Sequence, residues 1–189
     1  MKAKRIVDKE KIIEEFLPPL IYAILSLLII RGFLAPGKYI LSLDLVFGPN
    51  PVIPAEIYWP VYPQNGLPIA ILVKIFSSIL PMWLIEKVWL FLILFSSGVF
   101  AHYFCPLEAR FGRYFAGFLY MLNPLTYVRF LSGYIGFLSG YALLPLALKY
   151  WMITITHKKA GNRPLIIFVL ITTITVSYTH LTLPTTERV

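Results

Sequence analysis

Charge is scarce in this chain, and acid is scarcest. Only 14% of the 189 residues are charged, and Asp and Glu together number 9. Soluble globular domains carry about 25% charged residues, so a fully water-facing surface of ordinary extent is excluded. Cys105 is the one cysteine, which rules out a disulfide within the chain. His102, His157 and His180 are far apart, and no Cys or His pair has ligand spacing, so there is no zinc motif and no metal site is predicted. The phosphate-cradling loop, the dinucleotide fingerprint, the Gly-x-Ser-x-Gly elbow and the His-Glu-x-x-His motif are all missing. Soluble nucleotide or hydrolase chemistry therefore has no carrier here.

What is present is apolar. Hydrophobic residues make up 58% and aromatics 16% of the chain, which excludes intrinsic disorder. The composition predicts an all-α membrane protein of four to five transmembrane helices plus an interfacial helix. The net charge of +8 is distributed as that class requires. Lys2, Lys4, Arg5, Lys9 and Lys11 precede the first apolar run; Arg110 and Arg113 separate two later runs; Lys158, Lys159 and Arg163 separate two more. Cations clustered at the ends of apolar runs follow the positive-inside rule, not the stripe of a nucleic-acid surface. The partner is the lipid bilayer, with no nucleic acid, and the chain is expected in the cell membrane as a multi-pass protein with its N-terminus cytoplasmic.

Residues 1–15 read as a short charged amphipathic helix at the membrane surface, followed by a span at 16–34. The stretch Phe33-Leu34-Ala35-Pro36 lacks the small-x-small pattern of a signal-peptide cut, so this span is retained. Residues 35–66 contain Pro36, Pro49, Pro51, Pro54, Pro60 and Pro63, with Pro68 just beyond, which prevents a long helix. They read as a proline-rich extracytoplasmic loop lying against the bilayer. Residues 67–80 are too short to span and place Lys74, Ser77 and Ser78 on one stripe, the pattern of an interfacial or re-entrant helix. Trp83 and Trp89 flank Glu86-Lys87 as an aromatic belt, and 88–104 spans inward. Residues 114–128 return outward with a kink or end at Asn123-Pro124. Residues 135–155 go back in behind the small-residue stripe Ser132, Gly136 and Gly140, with a kink at Pro145. A fifth run begins at Leu165.

From Val176 the chain turns Thr-rich, and SYTHLTLPTT resembles translated sequencing adapter. On that reading 1–175 is a polytopic membrane domain, the N-terminal part of a longer protein, and 176–189 is a non-native tail. The other reading is a genuine polar end to the fifth helix.

Beyond the N-terminal fifteen residues the acids are Asp44, Glu56, Glu86, Glu108 and Glu187. Asp44 and Glu56 lie in the proline-rich loop, Asp44 within the apolar frame LSLDLVFGPN. A carboxylate beside low dielectric has its charged form destabilised, which raises its proton affinity towards that of a useful general base. Asp44 is equally suited to cap the turn before Gly48-Pro49-Asn50. A charged leader, one span, a long outer loop with an early Asp and several spans joined by short turns resemble the start of a GT-C type membrane glycosyltransferase. The run ARFGRYFAGFLYMLNPLTYVRFLSGYIGFLSGYALLPLAL also resembles large prokaryotic multispan proteins of like layout.

The resemblance implies sugar transfer from a polyprenyl-phosphate donor at the extracytoplasmic face, with Asp44, or Glu56, as the catalytic base. Ser42 and Val46 stand where the family's acidic pair would complete itself, so a divalent metal lacks its second carboxylate. Arg129, Lys74 and Lys38 are the candidates for the lipid phosphate, with headgroup anchoring as the other reading. Tyr58, Trp59, Tyr62, Gln64 and Asn65 would line an acceptor groove, or form an interfacial belt. Two other functions fit the same layout: a multispan lipid or polysaccharide flippase or transporter, and a non-catalytic membrane assembly subunit.

Overall fold

The computed structural model describes residues 2–40, 67–106, 108–156 and 162–179, and every regular element among them is helical. This is the all-α class the composition predicts. Among the described residues three stretches are long and apolar enough to cross a membrane: Glu15–Phe33, Met82–Phe104 and Ile135–Thr156.

Helix α1, Lys2–Ile30, runs unbroken for 29 residues, or about 43 Å at 1.5 Å per residue. The expected division into a surface helix and a separate span does not occur, although Pro18 and Pro19 lie inside. Proline at position i removes the bond to the carbonyl of i−4. For Pro19 that carbonyl is Glu15 O, and it receives the Tyr103 hydroxyl at 2.6 Å instead. A neighbouring side chain has replaced the missing backbone donor, so the helix continues. A 3₁₀ turn, Arg31–Phe33, ends α1, and a turn at Pro36-Gly37 follows with Gly37 at φ 72°. That left-handed conformation suits glycine.

Helix α2, Leu67–Ser77, stops short of Leu80. The Ser77 and Ser78 hydroxyls bond back to Lys74 O and Ile75 O, and Pro81 follows. Helix α3, Met82–Phe104, begins six residues earlier than the apolar run suggests and takes in Glu86 and Lys87. Next come α4, Arg110–Met121, and α5, Pro124–Leu131, divided at Leu122-Asn123 where the sequence places the break. Helix α6, Ile135–Thr156, contains Pro145, and α7, Arg163–Thr179, extends past Val176.

Paired contacts fix the directions. Glu15 meets Tyr103, Tyr22 meets His102, and Ala35 and Ile40 meet Lys87 and Glu86, so α1 and α3 are antiparallel. The chain therefore leaves α1 and enters α3 at one end of the bundle, the Glu86 end. His102 packs on Tyr114, which turns α4 back towards that end, where Phe130 of α5 lies 6.3 Å from Phe33. Helix α6 runs alongside α3, with Trp89 Nε1 donating to Ser139 Oγ at 3.1 Å, and α7 returns along α6 with Phe168 on Trp151.

The core joins these helices through Tyr22, Ile30, Leu90, Ile93, Leu94, Met121, Ile135, Leu138 and Ala142. Tyr22 is its tightest point. A Cβ on Gly98 would lie 2.6 Å from Tyr22 Cδ1, and one on Gly117 would lie 2.1 Å from Tyr22 Oη. Only glycine permits α1, α3 and α4 to meet there. Of the expected small-residue stripe, Gly140 is buried, and Ser132 and Gly136 are half-buried. The outward face carries Phe111, Phe115, Leu119, Leu148, Met152 and Leu170, all exposed. An apolar exterior of this kind suits contact with lipid.

Candidate functional site

The Glu86 end gathers the polar groups that an apolar bundle has reason to avoid. Glu86 is fully buried and Lys87 is 4% exposed. Helical phase puts Glu86 there: Met82, Glu86, Leu90, Ile93, Leu94, Ser97, Gly98 and Ala101 recur at three- and four-residue steps on the buried face of α3. Its Oε2 accepts the Ile40 N–H at 3.1 Å, while Oε1 has no partner among the described residues. One step along the helix, Lys87 Nζ donates to the Ala35 carbonyl and lies 4.7 Å from the Trp83 ring centroid. The expected headgroup belt is thus split: the tryptophans flank the pair, and the charges themselves turn inward onto residues 35–40. Tyr39 of that stretch packs against Val73 of α2 and Met82 and Ile85 of α3.

The three candidate cations fall at this same end. Lys38 is exposed within the held stretch, and Lys74 is exposed on α2, whose Val73 joins the cluster just described. Arg129 is half-buried in the last turn of α5, its guanidinium 4.8 Å from the Tyr134 ring and 5.3 Å from the Phe137 ring. The two ring faces attract the cation electrostatically. Asp44, Glu56, Tyr58, Trp59, Tyr62, Gln64 and Asn65 lie outside the described residues. Among the described residues no three His, Cys, Asp or Glu side chains converge to hold a metal.

Clefts adjoin the bundle at two places among the described residues. One, of about 430 Å³, lies between α2, α3 and α6 and is lined by Leu72, Phe76, Trp89, Leu92 and Leu143, with only Ser96 and Ser139 polar. The other, about 360 Å³, opens at the α4–α5 break beside Met121, Asn123, Thr126 and Tyr127. The break is closed by its own chemistry. Asn123 Oδ1 caps α5 by accepting Thr126 N–H at 2.9 Å, and Nδ2 donates to Tyr120 O and to Tyr141 Oη. Tyr120 O is the carbonyl that Pro124 leaves without a helical donor, and the Tyr141 hydroxyl reaches it at 3.0 Å. Tyr141 O is the carbonyl that Pro145 leaves, and the Tyr120 hydroxyl reaches it at 2.8 Å. Each tyrosine therefore mends the other's backbone, with the two rings stacked 4.1 Å apart.

At the opposite end, His102 is 3% exposed and enclosed by the rings of Tyr22, Tyr103 and Tyr114. Its Nδ1 lies 3.2 Å from Tyr22 Oη. Cys105 is half-buried just beyond.

Sequence reasoning missed Glu86 as a buried acid. The signal was available: Glu86 stands four residues before Leu90, in phase with Ser97, Gly98 and Ala101, the small residues that mark a helix-packing face. No protein-family model matches the chain, and comparison with curated proteins and with solved structures finds no match either.

Proposed function

We propose that this chain is membrane-embedded machinery of the GT-C glycosyltransferase type, moving a sugar from a polyprenyl-phosphate donor onto an acceptor at the extracytoplasmic face. The bundle would cross the cell membrane four to five times, with α2 interfacial and the N-terminus cytoplasmic. The carrying observation is that Lys38, Lys74, Arg129 and the buried Glu86 occupy one end of the bundle, the end to which residues 41–66 attach. Asp44 follows Ile40 by four residues, so the chain tethers it within about 14 Å of the atom that Glu86 holds. The apolar cleft between α2, α3 and α6 suits a prenyl tail.

On this reading Asp44 takes the proton of the acceptor hydroxyl as its oxygen attacks the anomeric carbon. The bond from that carbon to the phosphate oxygen breaks, and polyprenyl phosphate leaves with the electron pair. Arg129, with Lys38 and Lys74, offsets the charge on the departing phosphate. Aromatic and amide side chains at Tyr58, Trp59, Tyr62, Gln64 and Asn65 would hold the acceptor, and Glu56 is the reserve acid. A divalent metal at Asp44 would find no acidic partner at positions 42 and 46, which are Ser42 and Val46. The test is Asp44→Asn in the full-length protein. Sugar transfer should vanish while membrane insertion persists; undiminished transfer would remove Asp44 from the mechanism.

One observation favours a second reading, a flippase or transporter: the α4–α5 helix is discontinuous beside a cleft, as in many transport sites. Lipid scrambling by purified protein in vesicles, with no glycosyl product, would select it.

A further inference from the structure

We infer that Glu86 and Lys87 are positioning residues, a two-pronged clamp that sets where the loop-bearing strap 35–40 lies on the bundle. The geometry is matched in polarity. A strap of backbone presents both donors and acceptors. The carboxylate takes a donor, Ile40 N–H, and the ammonium takes an acceptor, Ala35 C=O. Successive helical residues point about 100° apart, so the two side chains grip points five residues apart on the strap. Between those points lie the Pro36-Gly37 turn and exposed Lys38.

Stability alone does not account for the pair. Burying a carboxylate with one oxygen unpartnered is unfavourable unless its remaining bonds are good, and an apolar side chain of similar size would fill the site more cheaply. What the pair provides is direction. The strap links the end of α1 to α2 and α3 and is the root of residues 41–66, so holding it at two points fixes how that segment leaves the bundle. The clamp stands on these contacts whatever chemistry the end performs; its consequence for catalysis rests on the glycosyltransferase reading.

The test uses the full chain in membrane vesicles, with Cys105→Ser and Ile40→Cys. Position 40 is half-buried and its N–H is retained. N-ethylmaleimide crosses membranes, so its rate of reaction at position 40 reads strap release without regard to sidedness or to sugar transfer. Glu86→Ala should raise that rate about tenfold or more, as expected for loss of a hydrogen bond to a charged group. Lys87→Met should raise it too. Glu86→Gln, whose amide oxygen can still accept the N–H, should restore a near-native rate. Should Glu86→Ala fail to insert, Ala35→Cys with Ile40→Pro carries the test. Proline removes the donor and leaves α3 intact, and labelling at position 35 should rise. Unchanged rates in Glu86→Ala, Lys87→Met or Ile40→Pro, or Glu86→Gln labelling as fast as Glu86→Ala, would overturn the clamp.

Discussion

The crossed tyrosines at Tyr120 and Tyr141 make a prediction that few helix pairs allow. Pro145 cannot donate to Tyr141 O, and the Tyr120 hydroxyl does so from α4 at 2.8 Å. Tyr120→Phe removes that donor and keeps the stacked ring. The carbonyl is then left without a partner inside the bundle. Interhelical hydrogen bonds in a membrane bundle average about 0.6 kcal/mol and reach about 1.7. Because this acceptor has lost its helical donor, the substitution should fall towards the upper part of that range, about 1–1.5 kcal/mol. Pro145→Ala restores an N–H four residues after Tyr141, which closes the ordinary helical bond. In that background Tyr120→Phe should cost close to nothing. The two substitutions should therefore couple by about 1 kcal/mol in a double-mutant cycle. Reversible unfolding in mixed micelles titrated with dodecyl sulfate and followed by helicity measures it. An equal loss from Tyr120→Phe in both backgrounds would refute the assignment. Tyr103 and Pro19 form the same relation through Glu15 O and provide an independent repeat.

Other substitutions probe the packing and the break. Gly117→Ala should destabilise by about 1–3 kcal/mol through overpacking. Tyr22→Phe should relieve it in part, because the nearest atom is the hydroxyl at 2.1 Å, but should not relieve Gly98→Ala, whose nearest atom is ring Cδ1 at 2.6 Å. Gly32→Ala, with nothing within 4 Å, should leave the unfolding midpoint unchanged. Asn123→Ala deletes the α5 cap and two donated bonds and should cost about 1–2 kcal/mol in the same assay.

The helical class, the break at Asn123-Pro124 and the extent of α6 were legible because each is written in local chemistry: long apolar runs, a capping amide before proline, a small-residue start. The unbroken passage of α1 through Pro18 and Pro19 was not. The donor that rescues Glu15 O belongs to Tyr103, 88 residues away. Glu86 and Lys87 illustrate a different failure. Their charge beside Trp83 and Trp89 suggested headgroups, yet helical phase turns Glu86 to the core, and the strap supplies the backbone partners that make burial tolerable. The clustering of Lys38, Lys74 and Arg129 at one end could be expected from counting crossings, whereas the seating of Arg129 on Tyr134 and Phe137 required the fold.

The sugar chemistry proposed for the Glu86 end depends on its facing away from the cytoplasm. Lys38 and Glu108 are both exposed, at opposite ends of α3. With Cys105→Ser, a cysteine at Lys38 should react with a membrane-impermeant maleimide on intact cells, and a cysteine at Glu108 only after permeabilisation. Labelling of Glu108→Cys on intact cells, with Lys38→Cys protected, would invert the bundle and contradict extracytoplasmic sugar transfer.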